Sequence, residues 1–254
     1  MIKFFRRIRF DLMEKNKTAK YFKYAIGEIV LVMIGILLAL QVNNWNTARI
    51  QNKESRELAK RLLLENNQNK VLLKNEIDRQ NEGLNALLRF LKMTGKDYKE
   101  KSIEETDSLL YMVISSPRYM LKTSVIEEAI STGNLAIIKS DSLRNLIYEL
   151  PSIVSEVKDN IKYIDDHDNF YLYNRLYNFV SLREIDGKFS PYVDKLGRSN
   201  FANVDNRIIL NDMQFESLID NKYFLISTLL NHYMVTQTKL DKISNMLSEE
   251  IKRK

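Results

Sequence analysis

The residue types best suited to acid–base or metal chemistry gather at one place, Asp165, Asp166, His167 and Asp168. Carboxylates and a neutral imidazole serve as metal ligands and proton carriers. The surrounding pattern is helical, however, and successive side chains on a helix stand about 100° apart. Four consecutive residues therefore cannot converge on one ion without groups from elsewhere, and the expectation is a solvated helix face. His232, the second of the two histidines, has Leu229 and Tyr233 nearby and is expected to pack against or border a core. There is no cysteine, which excludes disulfides, Cys-ligated zinc, iron–sulfur clusters and thiol nucleophiles. No phosphate-binding glycine loop, nucleophile elbow, zinc-protease motif or dinucleotide fingerprint is present, so no catalytic residue, cofactor or metal is assigned. Rings at Tyr163, Phe170, Tyr171, Tyr173, Tyr177 and Phe179 could stack a cyclic ligand or a sugar, but filling the core of a bundle is the simpler expectation.

A further ionisable residue, Glu28, sits inside an apolar run. From Ala25 to Val42 the chain reads AIGEIVLVMIGILLALQV, eighteen residues with eleven Ile, Leu or Val and one charge. As a helix it spans about 27 Å, close to the hydrocarbon thickness of a bilayer. Eleven aliphatics at about −0.3 to −0.6 kcal/mol each outweigh one carboxylate at about +3 kcal/mol, so insertion is expected. No small-x-small cleavage site follows the run, which ends in Gln41, Val42, Asn43, Asn44, Trp45, Asn46; the segment is read as an uncleaved signal anchor. Glu28, Val32, Gly35, Ala39 and Val42 recur at steps of three and four. Glu28, Gly35 and Ala39 are the candidates for helix pairing, and Trp45 is the interface anchor, with Tyr21, Phe22 and Tyr24 at the opposite interface.

The net charge of +6 is confined to residues 1–24, where Lys3, Arg6, Arg7, Arg9, Lys15, Lys17, Lys20 and Lys23 oppose Asp11 and Glu14. The remainder carries 31 basic and 31 acidic residues and is neutral. A neutral domain offers no general attraction for phosphate backbones, so nucleic acid is not expected as a partner. A basic stub beside an apolar helix suits anionic lipid headgroups and favours a cytoplasmic amino terminus, with the bulk of the chain periplasmic at a bacterial inner membrane.

The stretch YAIGEIVLVMIGILLALQVNNWNT at 24–47, preceded by MIKFFRRIR and a lysine-rich segment, resembles the start of domain-of-unknown-function family 6090, single-pass membrane proteins of Bacteroidota. Gly27, Glu28, Gly35, Gln41, Asn43, Asn44, Trp45 and Asn46 carry the resemblance, and Thr47 stands where members carry an acidic residue. The remainder, including SVIEEAISTGNLAIIKSDSLRNLIYEL, is similar in outline. The resemblance implies an anchor and a location, but no activity and no catalytic residues.

Only seven glycines and three prolines occur, and the periodicities are helical, so the fold class is all-α: one transmembrane helix followed by a long-helix, coiled-coil-like bundle. The expected divisions are a basic tail over 1–24, a transmembrane helix over 25–45, a helical stalk over 46–93 and a helical extramembrane domain over 94–254. Within the stalk, Leu58, Leu62, Leu73, Ile77, Leu84, Leu88 and Leu91 recur at helical spacing. Helices are predicted over 102–116, over 124–132 closed by Gly133, from an N-cap at Ser140 to about 182 with Pro151 as a kink, and from 212 onward. The segment 183–206, with Gly187, Pro191 and Gly197, is expected to be the principal loop and an exposed binding element. Leu143, Leu146, Leu150, Val154, Val157, Ile161 and Ile164 share one face, and Ile226, Leu229, Tyr233, Leu240, Ile243 and Leu247 another. These two seams could close within one chain or between two. The expectation is a membrane-anchored interaction, scaffolding or sensory module, with a protein partner or a second copy engaged through the membrane helix or the long helices. A tethered hydrolase or ligand receptor, its site assembled from distant residues, is the alternative.

Overall fold

The computed structural model describes residues 18–118, 121–201 and 203–253. The basic residues of the tail up to Lys17 lie outside the described residues, as do the side chains of Tyr21 and Tyr24. Every regular element among the described residues is helical. Helix α1, Thr18–Leu91, contributes to two compact units that divide at Glu57 and Leu58.

In the first unit the apolar run is uninterrupted helix, with Ile29, Leu31, Leu37 and Leu38 all exposed and none of its spanning window buried. This helix is long and apolar enough to cross a bilayer.

The second unit, Leu58–Arg253, is a bundle of three long helical stretches. They are α1 from Leu58, α4 (Asp141–His167) with its continuation, and α8 (Met213–Lys252). Helix α8 runs antiparallel to both others. Asn66 Nδ2 donates to the Leu240 carbonyl while Phe90 meets Phe215 edge-on at 5.3 Å, and Lys239 pairs with Glu149 while Arg175 pairs with Asp212. The two seams named above therefore close within a single chain. Leu143, Leu150, Val157 and Ile164 of α4 are buried with Ile226, Leu229, Tyr233, Leu240 and Leu247 of α8. Each large aliphatic so buried contributes about 1.5–3 kcal/mol of transfer free energy.

The stalk expected over 46–93 is divided by this packing. Leu62, Leu73, Leu87 and Phe90 of α1 belong to the bundle core, whereas Leu88 is exposed. Polar residues on the same buried face of α1 fasten the loop before α3 (Ser124–Ser131). Glu65 accepts from Ser124 Oγ and the amides of Val125 and Ile126, capping the start of α3, and Asn69 pairs with both backbone groups of Lys122. Between them, α2 (Ile103–Val113) begins at the N-cap Ser102.

The loop expected over 183–206 is partly helical: α6 covers Leu182–Phe189 and α7 Val193–Leu196. The signal lay in Ser181 and Glu184, since Ser181 Oγ accepts from the Glu184 amide at the first turn, and Ile185 is fully buried. Glu184 also pairs with Arg198 and accepts from the Ser199 amide at 3.2 Å. The Arg198 guanidinium holds its carboxyl at about 2, well below the usual carboxylate range. Buried Asp107 pairs with Lys188 and accepts from Asn206 Nδ2 at 2.7 Å, tying α2, α6 and the segment before α8 together.

Glycine is required where α6 crosses this strap. A Cβ on Gly187 would lie 2.3 Å from the Gly197 carbonyl oxygen, and Gly197 itself has φ +60°. Both partners are backbone, so neither can yield cheaply. Gly187→Ala is expected to cost about 1–3 kcal/mol and to raise the protease sensitivity of 190–205, scored by limited proteolysis and thermal unfolding of the full chain.

Candidate functional site

The continuation of α4 explains where the acidic cluster goes. After Ile164 the core-facing residues are Asp168, Leu172, Leu176 and Val180, a run of four-residue steps. At 100° per residue each such step drifts about 40° around a helix. A π turn at Asp168–Leu172 absorbs the drift and keeps these residues facing inward before α5 (Tyr173–Phe179) resumes. Such wide turns occur often at functional positions.

This turn overturns the solvated-face expectation for two of the four residues. Asp165 and Asp166 are part-exposed, but His167 is 5 % and Asp168 0 % exposed. Asp168 faces Lys222 of α8, itself 1 % exposed, whose ammonium donates to Asp168 Oδ2 at 2.5 Å and to the Val113 carbonyl at 2.6 Å. Ser116 Oγ lies 3.5 Å from Asp168 Oδ2, and His167 Nδ1 is 3.2 Å from Asp168 Oδ1. The His167 Nε2 atom is buried without a hydrogen-bond partner. Burial pushes the Lys222 amine down, against the pull of Asp168, and burial likewise raises the Asp165 carboxyl against a hydrogen bond from Ser116. Burial and the Asp168 charge raise the Tyr173 phenol, which donates to the Ile114 carbonyl at 3.0 Å.

Nothing in the acidic cluster itself pointed to Lys222, 54 residues away. The one available signal was a lysine at a core position of α8, four residues before Ile226.

Lys222 lines one end of a cleft of about 190 Å³ with Leu87, Val113, Ile226, Gln80 and Tyr111. Ligand sites more often measure about 300–1,000 Å³. A molecule of a few heavy atoms with an apolar body and one acceptor would fit its dimensions and chemistry. Arg79, on the rim, is engaged by Glu76, Ser115 Oγ and the Ser116 carbonyl. Among the described residues no three His, Asp or Glu side chains are grouped as a metal site. His232 borders the α4–α8 seam, its Nδ1 3.7 Å from Glu156.

The residues singled out in the apolar run lie together on α1. The unbroken helix places Glu28, Gly35 and Ala39 on one stripe; Gly35 and Ala39 are exposed, and a Cβ on Gly35 would meet nothing within 4 Å. Trp45 is 66 % exposed at the end of the run. The aromatics expected in the core divide: Tyr173 and Phe179 are half-buried, while Tyr163, Phe170, Tyr171 and Tyr177 are exposed.

No family model, no curated protein and no solved structure matches this chain.

Proposed function

We propose that this chain is a single-pass inner-membrane protein that holds a helical bundle in the periplasm and acts through protein contacts, as a scaffolding or sensory module. One observation carries this: an apolar helix with no protein packed on it is covalently joined to a bundle whose long helices already fill their own core. The basic segment before the helix supports a cytoplasmic amino terminus, and the resemblance to family 6090 supports a single span. Signals crossing the bilayer would need a partner for the stripe of Glu28, Gly35 and Ala39, or a protein that reads the basic tail.

The rival, a tethered hydrolase or ligand receptor, has the cleft beside Lys222 in its favour. The cleft is small, a single carboxylate, Glu82, is among its lining residues, and Asp168 behind the lysine is committed to it. This weighs toward the interaction module.

Topology tests the proposal. Spheroplasts carrying the chain with a carboxyl-terminal epitope are expected to lose that epitope to added protease, while an amino-terminal epitope survives until the membrane is permeabilised. Protection of both epitopes, or of the carboxyl-terminal one alone, would overturn the orientation.

A further inference from the structure

The π turn has an outer side as well as an inner one. Because it inserts an extra residue, both Phe170 and Tyr171 emerge on the solvent side, joining Tyr163 about two turns before and Tyr177 beyond. The four rings are 61–65 % exposed. At roughly 150–250 Å² per aromatic side chain they present on the order of 500 Å² of ring surface. That is at the upper end of what a soluble monomer leaves uncovered, and more than half of the roughly 800 Å² each partner buries in a stable interface.

The chemistry of the surroundings selects the occupant. Lys162 and Asp166 neutralise each other at 2.6 Å, Arg175 is taken by Asp212, Asn169, Asn174 and Asn178 are uncharged, and part-exposed Asp165 adds one carboxyl. Without excess cations the patch has no pull on phosphate or anionic headgroups. With one carboxyl at most beyond its paired charges, it does not select a strongly charged protein, and it repels a copy of itself only weakly. None of the four rings lines the clefts beside α2, as a buried ligand would require.

Resting on the reading of an anchored interaction module, we propose that this aromatic face is a self-association surface that pairs with the same face on a second copy of the chain. An isologous contact places the centre of the patch, near Phe170 and Asn174, on the two-fold axis. Confinement to a membrane raises the effective concentration of the copies, so an interface of moderate area suffices. The buried Asp168–Lys222 pair holds the inside of the turn whose outside makes the contact.

The chain contains no cysteine, so single-cysteine reporters are unambiguous. Full-length Asn174→Cys in native membranes is expected to cross-link to a species of twice the 29.9 kDa chain under mild oxidation, and Thr228→Cys on the exposed side of α8 is not. Adding Phe170→Asp and Tyr171→Asp to the Asn174→Cys chain should reduce the product at least tenfold, with circular dichroism checking that the bundle persists. A membrane-retained chain that does not cross-link at 174 sinks the dimer and leaves the anchor standing. If that cysteine is also shielded from an aqueous maleimide, lipid or another protein covers the face, and self-pairing is equally refuted. Cross-linking of a chain found free of membrane would sink the anchor and leave the surface.

Discussion

Replacing Lys222 with methionine is expected to lower the thermal midpoint of the helical bundle by about 10 °C. Methionine fills the volume of the aliphatic stem but leaves Asp168, fully buried, without its cation. Removing one partner of a buried ion pair costs about 3–5 kcal/mol, because the survivor cannot regain its hydration. For a unit of this size each kcal/mol shifts the midpoint by roughly 2–4 °C. The Val113 carbonyl loses its donor at the same time. The informative companion is Lys222→Met with Asp168→Asn, which leaves no buried charge and is expected to recover at least half of the loss. Unfolding of the full chain in detergent, followed by near-ultraviolet circular dichroism, measures both. A single substitution that leaves the midpoint within 2 °C would show that the pair is not desolvated as the structure has it.

The second large effect concerns the bilayer. Ile34→Lys with Leu37→Lys places two charges at the middle of the run Ala25–Val42, each costing about 2.5–3.5 kcal/mol at a helix centre, and removes two favourable aliphatics. The eleven aliphatics supply only about 3–7 kcal/mol in total, so the balance reverses. The fraction resisting alkaline carbonate extraction should fall at least fivefold. Ile50→Lys, on the same helix but beyond the run, is the matched control and should extract like the parent. Full retention of the doubly charged variant would mean that the chain is held to membranes by something other than this helix.

Those two results probe features that differed in how visible they were beforehand. The apolar run is local: eighteen consecutive residues decide its partitioning, and no distant group can change the sum by more than one of its members does. The helical periods of Leu143 to Ile164 and of Ile226 to Leu247 are local in the same sense, because a residue's place around a helix depends only on its spacing, and both stripes are buried almost without exception. The cap at Ser140 belongs here too, accepting the amide three residues on; Ser102 and Asp212, legible only as helix starts, prove to cap in the same way.

The acidic cluster and the rings were placed less well, and for one reason. A stripe of four-residue steps from Ile164 to Val180 is compatible with a solvated face on a regular helix or with a wide turn that keeps the stripe inward. Choosing between them depends on what stands opposite. Lys222 stands opposite, and it draws Asp168 into the core while the inserted residue turns Phe170 and Tyr171 outward.

Sequence by itself thus determined the all-helical class, the segment able to cross a bilayer, the neutral charge of everything after the basic tail and the absence of thiol chemistry. Each follows from composition or from spacing along one segment. Tertiary structure alone decided that α1 from Leu58 is core rather than stalk, that Asp168 and Lys222 form a buried pair, that Gly187 must pass beneath Gly197, and which aromatics face water. Those outcomes arise between residues tens of positions apart, where burial and charge pairing are properties of two segments together and spacing within either one carries no information about the other.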